Sequence, residues 1–235
     1  MLLTCRICHR IVSVMKPNSR ANQSSSSPGA TTGKDEERFL IVGLGNLHGG
    51  YGNTRHSVGI MLVDHLAQLL SSSPWKREGT ALLSHSKLSV QSDCNKEPTK
   101  INLMLLKPRL PMNINGKSVQ PIAQAHGIHT ENIYLLQDDL DAKITKFRIK
   151  ESGSANGHKG VLSCQNSFKS KGMPRLLYGI GRPASRDDVV DYVLSAFTSE
   201  EKDLVLRTFN PALELLLNHL GKKCNVVGLS KSLLG

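Results

Sequence analysis

The stretch that decides the fold runs from residue 38 to residue 70, "RFLIVGLGNLHGGYGNTRHSVGIMLVDHLAQLL". The apolar run at residues 39–42 predicts a buried strand, whereas the apolar residues after Ser57 recur at helical spacing. The loop between them supplies several glycines, two asparagines, two histidines and an arginine. A strand that leads through such a loop into a helix is the opening unit of an α/β fold.

The glycine pattern of this loop does not match a dinucleotide site. A Rossmann fingerprint needs a third glycine where the helix packs on its strand, and His48 occupies that position. The Gly-Lys-Ser or Gly-Lys-Thr that closes a P-loop is missing as well. What remains is a strand end that presents Asn46 and His56. Histidine titrates near neutrality, so His56 is a candidate general base.

Predicted strands and helices alternate along the rest of the chain. Buried strands are predicted at residues 101–107, 132–141 and 175–182, a more exposed strand at 144–150, and a helix at 115–127. Residues 74–100 are polar and irregular, and predict no element. The alternation predicts an α/β fold in which a central sheet is flanked by helices on both faces.

The end of the chain is predicted to be helical. Thr198 and Glu201 have the spacing of a capping box, which opens a first helix. Pro211 lacks the amide proton that an interior helical turn needs, so a break is predicted there. A second helix then runs to about Gly221. Residues 223–235 are expected to form a C-terminal tail after a folded domain that spans residues 37–222.

Residues 1–36 are expected to form a disordered tail and linker. The first 34 residues are serine-rich, contain no acidic residue, and include five basic residues: Arg6, Arg10, Lys16, Arg20 and Lys34. This composition is typical of a mitochondrial transit peptide, and an ordinary disordered tail is the alternative. The expected location is the mitochondrial matrix, with the cytoplasm as the second choice.

Charge and cysteine usage limit the class of partner. The formal net charge is +11, which favours a polyanionic partner such as nucleic acid. No stretch approaches the roughly 20 apolar residues that span a bilayer, so no membrane partner is expected. The five cysteines are scattered and odd in number, which predicts a reducing compartment. Cys5 to His9 has the spacing of a c-type haem site but lies in the tail, so neither cofactor nor metal is expected.

Polar residues at the ends of predicted strands indicate a functional cleft. His56 follows the first strand, Asn113 follows the second, and Asp138 lies at the end of the third. A carboxylate there is costly unless it is paired, and an imidazole is a suitable partner. Taken alone, each residue fits a turn or a helix cap better. Because sites in α/β sheets form beyond the carboxyl ends of the strands, the three are expected to meet with Asn46 in one cleft.

Several blocks of the sequence together resemble one family. They are "VGLGN", "TRHSVG", "KPRLPMNINGKSV", "DDLD", "SGSANGHKG" and "RLLYGIGRP". Their order and spacing are similar to those of bacterial-type peptidyl-tRNA hydrolase, above all its animal mitochondrial form. The resemblance covers about Phe39 to Leu220. It implies a single α/β domain with a mixed, twisted sheet, which hydrolyses the aminoacyl ester between a nascent peptide and the 3′ end of tRNA and so recycles tRNA. It implies no metal and no cofactor.

The resemblance also implies roles for individual residues. His56 would deprotonate the attacking water, and Asp138 would hold its imidazole in the useful tautomer, which is the pairing that the strand ends predict. Asn46 and Asn113 would hold the peptide and the water. Tyr51 and Met112 would meet the terminal nucleotide or the peptide. The further residues expected to bind substrate are Lys150, His158 and Lys159.

Basic side chains in two further segments are expected to bind tRNA phosphates without reading the sequence of the RNA. They are Lys143, Lys146, Arg148 and Lys150 in the first segment, and Lys169, Lys171 and Arg175 in the second. An ordinary solvated surface is the alternative for each of them. The expected partner is the acceptor stem and 3′ end of peptidyl-tRNA, bound by a monomer without an obligate protein partner.

The sequence departs from the family pattern in three places. Leu47 and His48 replace a proline and a glycine of the first loop, Lys159 replaces an asparagine, and Leu177 replaces an arginine that many bacterial members carry. A lysine cannot accept a hydrogen bond as an amide can, so Lys159 puts full turnover in question. The changes leave a second hypothesis open, a catalytically weakened RNA-binding homologue that acts as an organellar RNA-processing partner. A small-molecule hydrolase on the same fold is the third.

Overall fold

The computed structural model of the chain describes residues 12–14, 36–90 and 97–234. The strands are β1 (Val12–Val14), β2 (Glu37–Gly43), β3 (Lys76–Glu78), β4 (Ala81–Val90), β5 (Thr99–Pro108), β6 (Ile133–Asp139), β7 (Phe147–Lys150) and β8 (Arg175–Gly179). The helices are α1 (Val58–Leu69), α2 (Gly116–Ala125), α3 (Lys159–Phe168), α4 (Val189–Leu194), α5 (Ser199–Lys223) and α6 (Leu229–Leu234).

The strands form one mixed sheet in the order β1-β4-β5-β2-β6-β8-β7, with β3 paired to β4. The central strands β5, β2, β6 and β8 are parallel, whereas β4 and β7 pair antiparallel with their neighbours. The chain passes from β2 to β5 on one side and then crosses back to β6 on the other side of β2. A reversal of this kind opens a crevice beyond the carboxyl ends of the strands.

Alternating side chains of the central strands divide the core into two layers. Phe39 and Ile41 belong to the layer that contains α1 and α5, whereas Leu40 and Val42 belong to the layer that contains α2 and α3. Period-two alternation with apolar residues on both faces is what a sheet covered by helices requires. The predicted α/β fold, with a central mixed sheet flanked on both faces, is confirmed.

Gly59 allows α1 to lie close against the sheet. A Cβ atom at this position would lie 2.2 Å from the carbonyl oxygen of Leu136 and 2.7 Å from that of Leu44. This close approach of a helix to a strand is the role that a dinucleotide fingerprint gives to its third glycine. Here Gly59, which follows the glycine-rich loop, takes this role. The close contact of α1 with the sheet therefore also brings His56, in the turn just before α1, close to the strand ends.

The polar segment after α1 is more regular than predicted. β3 and β4 form an antiparallel pair, and β4 pairs with β5 along its whole length. The sequence did not reveal β4 because Ser84 and Ser86 interrupt its apolar residues, yet both are buried. Their hydroxyl groups bond to Ser73 and Ser72, which satisfies them inside the protein.

The helix predicted to break at Pro211 is continuous, because α5 runs from Ser199 through Lys223. The predicted capping box at its start is confirmed. A proline inside a helix costs about 3 kcal/mol, but burial of a large apolar side chain contributes roughly 1.5–3 kcal/mol. Phe209 and Leu213, which flank Pro211, are both buried in the core and offset the cost. Neither α5 nor any other helix in the described ranges is long and apolar enough to cross a membrane.

Both ends of the described chain contribute to the sheet or the core. Val12–Val14, in the segment predicted to be disordered, pairs antiparallel with β4; valine favours strands, and β4 would otherwise present an unpaired edge. The other residues before 36 lie outside the described residues. Cys224, Val226 and Leu229 are buried within the core, so the segment expected to be a C-terminal tail packs on the domain.

Candidate active site

A cleft of about 820 Å³ lies at the carboxyl ends of the parallel strands. Its wall includes all four residues that the sequence predicts to be catalytic, namely Asn46, His56, Asn113 and Asp138. They come from the segments that follow β2 and β5 and from the end of β6. The four residues that follow or end parallel strands therefore lie in one cleft, as expected from the sequence.

Asp138 is the centre of a buried polar cluster. Its Oδ1 lies 2.9 Å from Nδ1 of His56 and 2.9 Å from Nε2 of His158. The carboxylate side chain is 3% exposed. The ring centroids of the two histidines are 5.0 Å apart. One carboxylate oxygen thus bonds to two imidazoles at the bottom of the cleft.

The hydrogen bonds determine where the protons lie. Burial raises the pKa of the Asp138 carboxyl, but electrostatic attraction to His158 and His56 and the hydrogen bonds from both rings hold this pKa well below its ordinary 3.8. An ionised carboxylate only accepts hydrogen bonds. His158 Nδ1 accepts the Val161 N–H at 3.2 Å, so its Nε2 carries the proton given to Asp138. His56 likewise donates from Nδ1, and its Nε2 keeps a lone pair.

The same three residues place one ligand atom each within 4.8 Å of one another, as in a metal site. A metal bound to Nε2 of His158 would displace the proton from that atom. Because Nδ1 of His158 already accepts an amide proton, the ring would become an imidazolate. The arrangement therefore fits acid–base chemistry better than a metal centre.

A short 3₁₀ turn, Arg55–Ser57, carries His56. The Ser57 hydroxyl accepts the Asn46 N–H at 3.0 Å. On the other side, the Arg55 guanidinium lies 2.5 Å from a carboxylate oxygen of Glu201 in α5. Side-chain contacts of the residues immediately before and after His56 therefore hold this turn in place.

Asn46 reaches the cleft although Leu47 and His48 alter the loop that follows it. Its Oδ1 accepts the backbone N–H of Met112 at 2.8 Å, which links the loop after β2 to the turn after β5. With the oxygen occupied, the amide NH₂ group of Asn46 remains as a donor. Asn113, on the same turn, is exposed and lines the cleft.

Asn115 is a structural residue that the sequence did not single out. It is fully buried, and its Oδ1 accepts the Gly45 N–H at 3.3 Å while its Nδ2 donates to the carbonyl oxygens of Leu110 and Pro111. The side chain thus ties the loops of the cleft to each other. In the sequence, Asn115 follows Asn113 by two residues at the start of a predicted helix, where an asparagine is most simply interpreted as a helix cap.

The predicted substrate-binding residues divide into two groups. Met112, Lys150, His158 and Lys159 line the cleft, but both ring nitrogens of His158 are engaged within the protein. His158 therefore positions Asp138 instead of offering a nitrogen to substrate. Tyr51 is 42% exposed and does not belong to the cleft wall.

Arg175, which the sequence places among phosphate contacts, has a different task. It is 2% exposed, and its guanidinium donates to the backbone oxygens of Ser152, Gly153 and Ser154 at 2.8–2.9 Å. Arg175 is the first residue of β8 and points into the protein, so it supports the loop beside the cleft.

Gln137 is another polar residue of the cleft wall, next to the predicted carboxylate. It is 5% exposed, and its Nε2 donates to the Asp138 carbonyl oxygen at 3.2 Å. Its Oε1 is buried and has no hydrogen-bond partner among the described residues. Burial of this oxygen therefore has a desolvation cost that no hydrogen bond from the described residues offsets.

An imidazole oriented by a buried carboxylate in an open cleft of an α/β sheet is an arrangement suited to general acid–base catalysis. The family model for peptidyl-tRNA hydrolase matches residues 40–231. The chain belongs to the peptidyl-tRNA hydrolase family. The sequence resemblance is therefore confirmed.

Individual relatives and structures support this membership. The mouse "Probable peptidyl-tRNA hydrolase" is 40% identical over 185 residues, which cover 78% of this chain and 86% of the relative. The peptidyl-tRNA hydrolase of a Sulfurihydrogenibium species is 38% identical over 180 residues, with 77% and 89% covered. The crystal structure of peptidyl-tRNA hydrolase from Acinetobacter baumannii has a TM-score of 0.67 at 27% identity, with 86% of this chain and 97% of that chain covered.

Proposed function

We propose that His56 is the general base of ester hydrolysis in this cleft. The observation that carries the proposal is the 2.9 Å contact of its Nδ1 with Asp138, which leaves the Nε2 lone pair for a proton. Water would give a proton to Nε2 as its oxygen bonds to the ester carbonyl carbon. The bond from that carbon to the 3′ oxygen of tRNA then breaks, and the imidazolium returns the proton to the leaving oxygen.

The remaining polar groups orient the reaction. Asp138 stabilises the imidazolium, and His158 bonds to the same carboxylate oxygen and so helps to hold Asp138 in place. The amide oxygen of Asn46 accepts the Met112 N–H, so its NH₂ group is the part of the side chain suited to donate to the carbonyl oxygen as negative charge develops there. Asn113 offers an exposed amide in the same wall, suited to the water or the peptide.

Lys150 and Lys159 are the cations proposed to bind phosphates of the tRNA acceptor end. Both line the cleft, and Lys159 is exposed at the start of α3. Arg148 contributes less, because Asp139 already pairs with it at 2.9 Å. Every proposed reacting group comes from one chain, which supports action as a monomer. The proposed partner is the acceptor stem and 3′ end of peptidyl-tRNA.

The decisive experiment incubates the full chain with peptidyl-tRNA and measures release of the peptide and binding of the tRNA. Ester cleavage is expected. Intact tRNA binding without cleavage would instead favour an RNA-binding homologue. Lys159→Asn should raise KM if the lysine binds phosphate, whereas a rise in kcat would show that the lysine impairs catalysis. Lys202→Asn, on the exposed start of α5, is the matched control and should leave both constants unchanged.

We also propose import into the mitochondrial matrix, with the acid-free, serine-rich start of the chain as the support. The full chain carrying a C-terminal fluorescent protein is expected to accumulate in mitochondria. Replacing Arg6 and Arg10 by glutamate should then leave it in the cytoplasm. Cytoplasmic fluorescence of the parent protein would contradict the proposal.

A further inference from the structure

Arg55 is a buried cation that the proposed hydrolysis does not use. The residue is 5% exposed, and one guanidinium nitrogen lies 2.5 Å from Oε2 of Glu201 while another donates to the Ser195 hydroxyl at 3.3 Å. The guanidinium carbon lies 4.4 Å from the ring centroid of Tyr192 and 4.9 Å from that of Phe197. The charge is therefore both paired and stacked, as a planar guanidinium allows.

The backbone around Arg55 repeats this attachment. Its N–H donates to the carbonyl oxygen of Ser195 at 3.0 Å, and Thr54 forms a bridge with Ala196. The segment between α4 and α5 therefore contacts the residues that immediately precede His56. Since these partners are far apart in sequence, tertiary contacts add to the local hydrogen bonds of the 3₁₀ turn in holding the backbone at this point.

The first turn of α5 supplies the anionic end of the attachment. Oε2 of Glu201 accepts the Thr198 N–H at 2.9 Å as part of the capping box, and the same oxygen meets Arg55. The capping box holds the carboxylate in place, because a hydrogen bond to the helix start fixes its rotamer. Arg55 is thus tied to a rigid helix end.

We propose that Arg55, held by Glu201, is a positioning residue that sets the orientation of the His56 imidazole. The inference rests on the proposed role of His56 as the base. The ring is fixed at Nδ1 by Asp138, so its remaining freedom depends on the backbone of the turn Arg55–Ser57. Loosening this turn would misdirect Nε2, and small displacements of a reacting group lower kcat more than they change substrate binding.

Glu201→Gln tests this role with the fold preserved. Glutamine also serves at the third position of a capping box, so α5 keeps its start while Arg55 loses its anionic partner. Because the turn that carries His56 is then held less firmly, kcat is expected to fall roughly tenfold with KM unchanged. Glu200→Gln is the matched control, because it also removes a carboxylate from the first turn of α5. The Glu200 carboxylate accepts the Thr198 hydroxyl, whereas Arg55 pairs with Glu201, so kcat of this variant should match that of the parent.

Arg55→Lys provides the second variant, since it keeps the charge but loses the planar fork and the stacking. It should show the same fall in kcat without a change in KM, at a temperature well below its unfolding midpoint. If both variants lower only the midpoint and cleave like the parent, Arg55 is merely structural and the inference fails. Equal cleavage by His56→Ala and the parent would instead refute the base assignment, which is a separate result.

Discussion

Replacement of Asp138 by asparagine is expected to lower kcat by about three orders of magnitude. Asparagine keeps the size and one acceptor oxygen but carries no charge. The carboxylate oxygen lies 2.9 Å from His56 Nδ1, so the charges of Asp138 and an imidazolium are next to each other. Two unit charges ~4 Å apart at an effective dielectric constant of ~20 attract by ~4 kcal/mol, which corresponds to ~10³ in rate.

The assay measures kcat from the release of tRNA at saturating peptidyl-tRNA. Asp141→Asn is the matched control, because Asp141 lines the same cleft but pairs with Arg182 near the surface. Its kcat should stay close to the parent value, since exposed ion pairs contribute little. A kcat for Asp138→Asn within about tenfold of the parent, equivalent to ~1.4 kcal/mol, would refute the idea that this charge stabilises the imidazolium.

Further predictions concern Asp138 and the residues around its contact with His56. Arg175→Lys should lower the free energy of unfolding by about 2 kcal/mol in urea titrations, because lysine cannot donate to the three loop carbonyls as the planar guanidinium does, and an unchanged value would contradict this structural role. Lys150→Ala should reduce the slope of log K for tRNA binding against log salt by about 1, and an unchanged slope would show that Lys150 does not meet phosphate. Gln137→Leu removes an unpartnered buried oxygen, so the free energy of unfolding should stay the same or rise by about 1 kcal/mol, whereas a loss of about 2 kcal/mol would reveal a partner. The depressed pKa of Asp138 contributes stability that is complete above its unfolded value of 3.8 and disappears as the pH falls further toward the folded value. Below about pH 4 the urea midpoint of the parent should therefore drop more steeply than that of Asp138→Asn, and parallel curves would contradict the assignment.

The sequence predicted the residues whose position depends on strand ends. His56, Asn113 and Asp138 each follow or end a parallel strand, and parallel strands bring their carboxyl ends to one edge. The apolar runs in the sequence indicate the order of the strands and that they are buried, so the position of the cleft was predictable from the sequence. The sequence blocks shared with the family added the expected roles of Asn46 and Asn113 toward the peptide and the water, which residue spacing alone does not provide.

Residues that depend on the direction of a side chain were not predictable. His158, Asn115 and Arg175 are polar side chains in segments that spacing assigns to loops or strand starts. Their tasks follow from which buried backbone or carboxylate groups lie opposite them in three dimensions. In β4 and at Pro211, tertiary burial outweighed the local sequence pattern.

The most direct measurement compares cleavage of peptidyl-tRNA by the full chain and by its His56→Ala variant, with tRNA binding measured in parallel. General base catalysis contributes roughly 10²–10⁴ in rate, so the variant should cleave at least 10²-fold more slowly while it binds tRNA as the parent does. Cleavage by His56→Ala at the rate of the parent would show that another group activates the water.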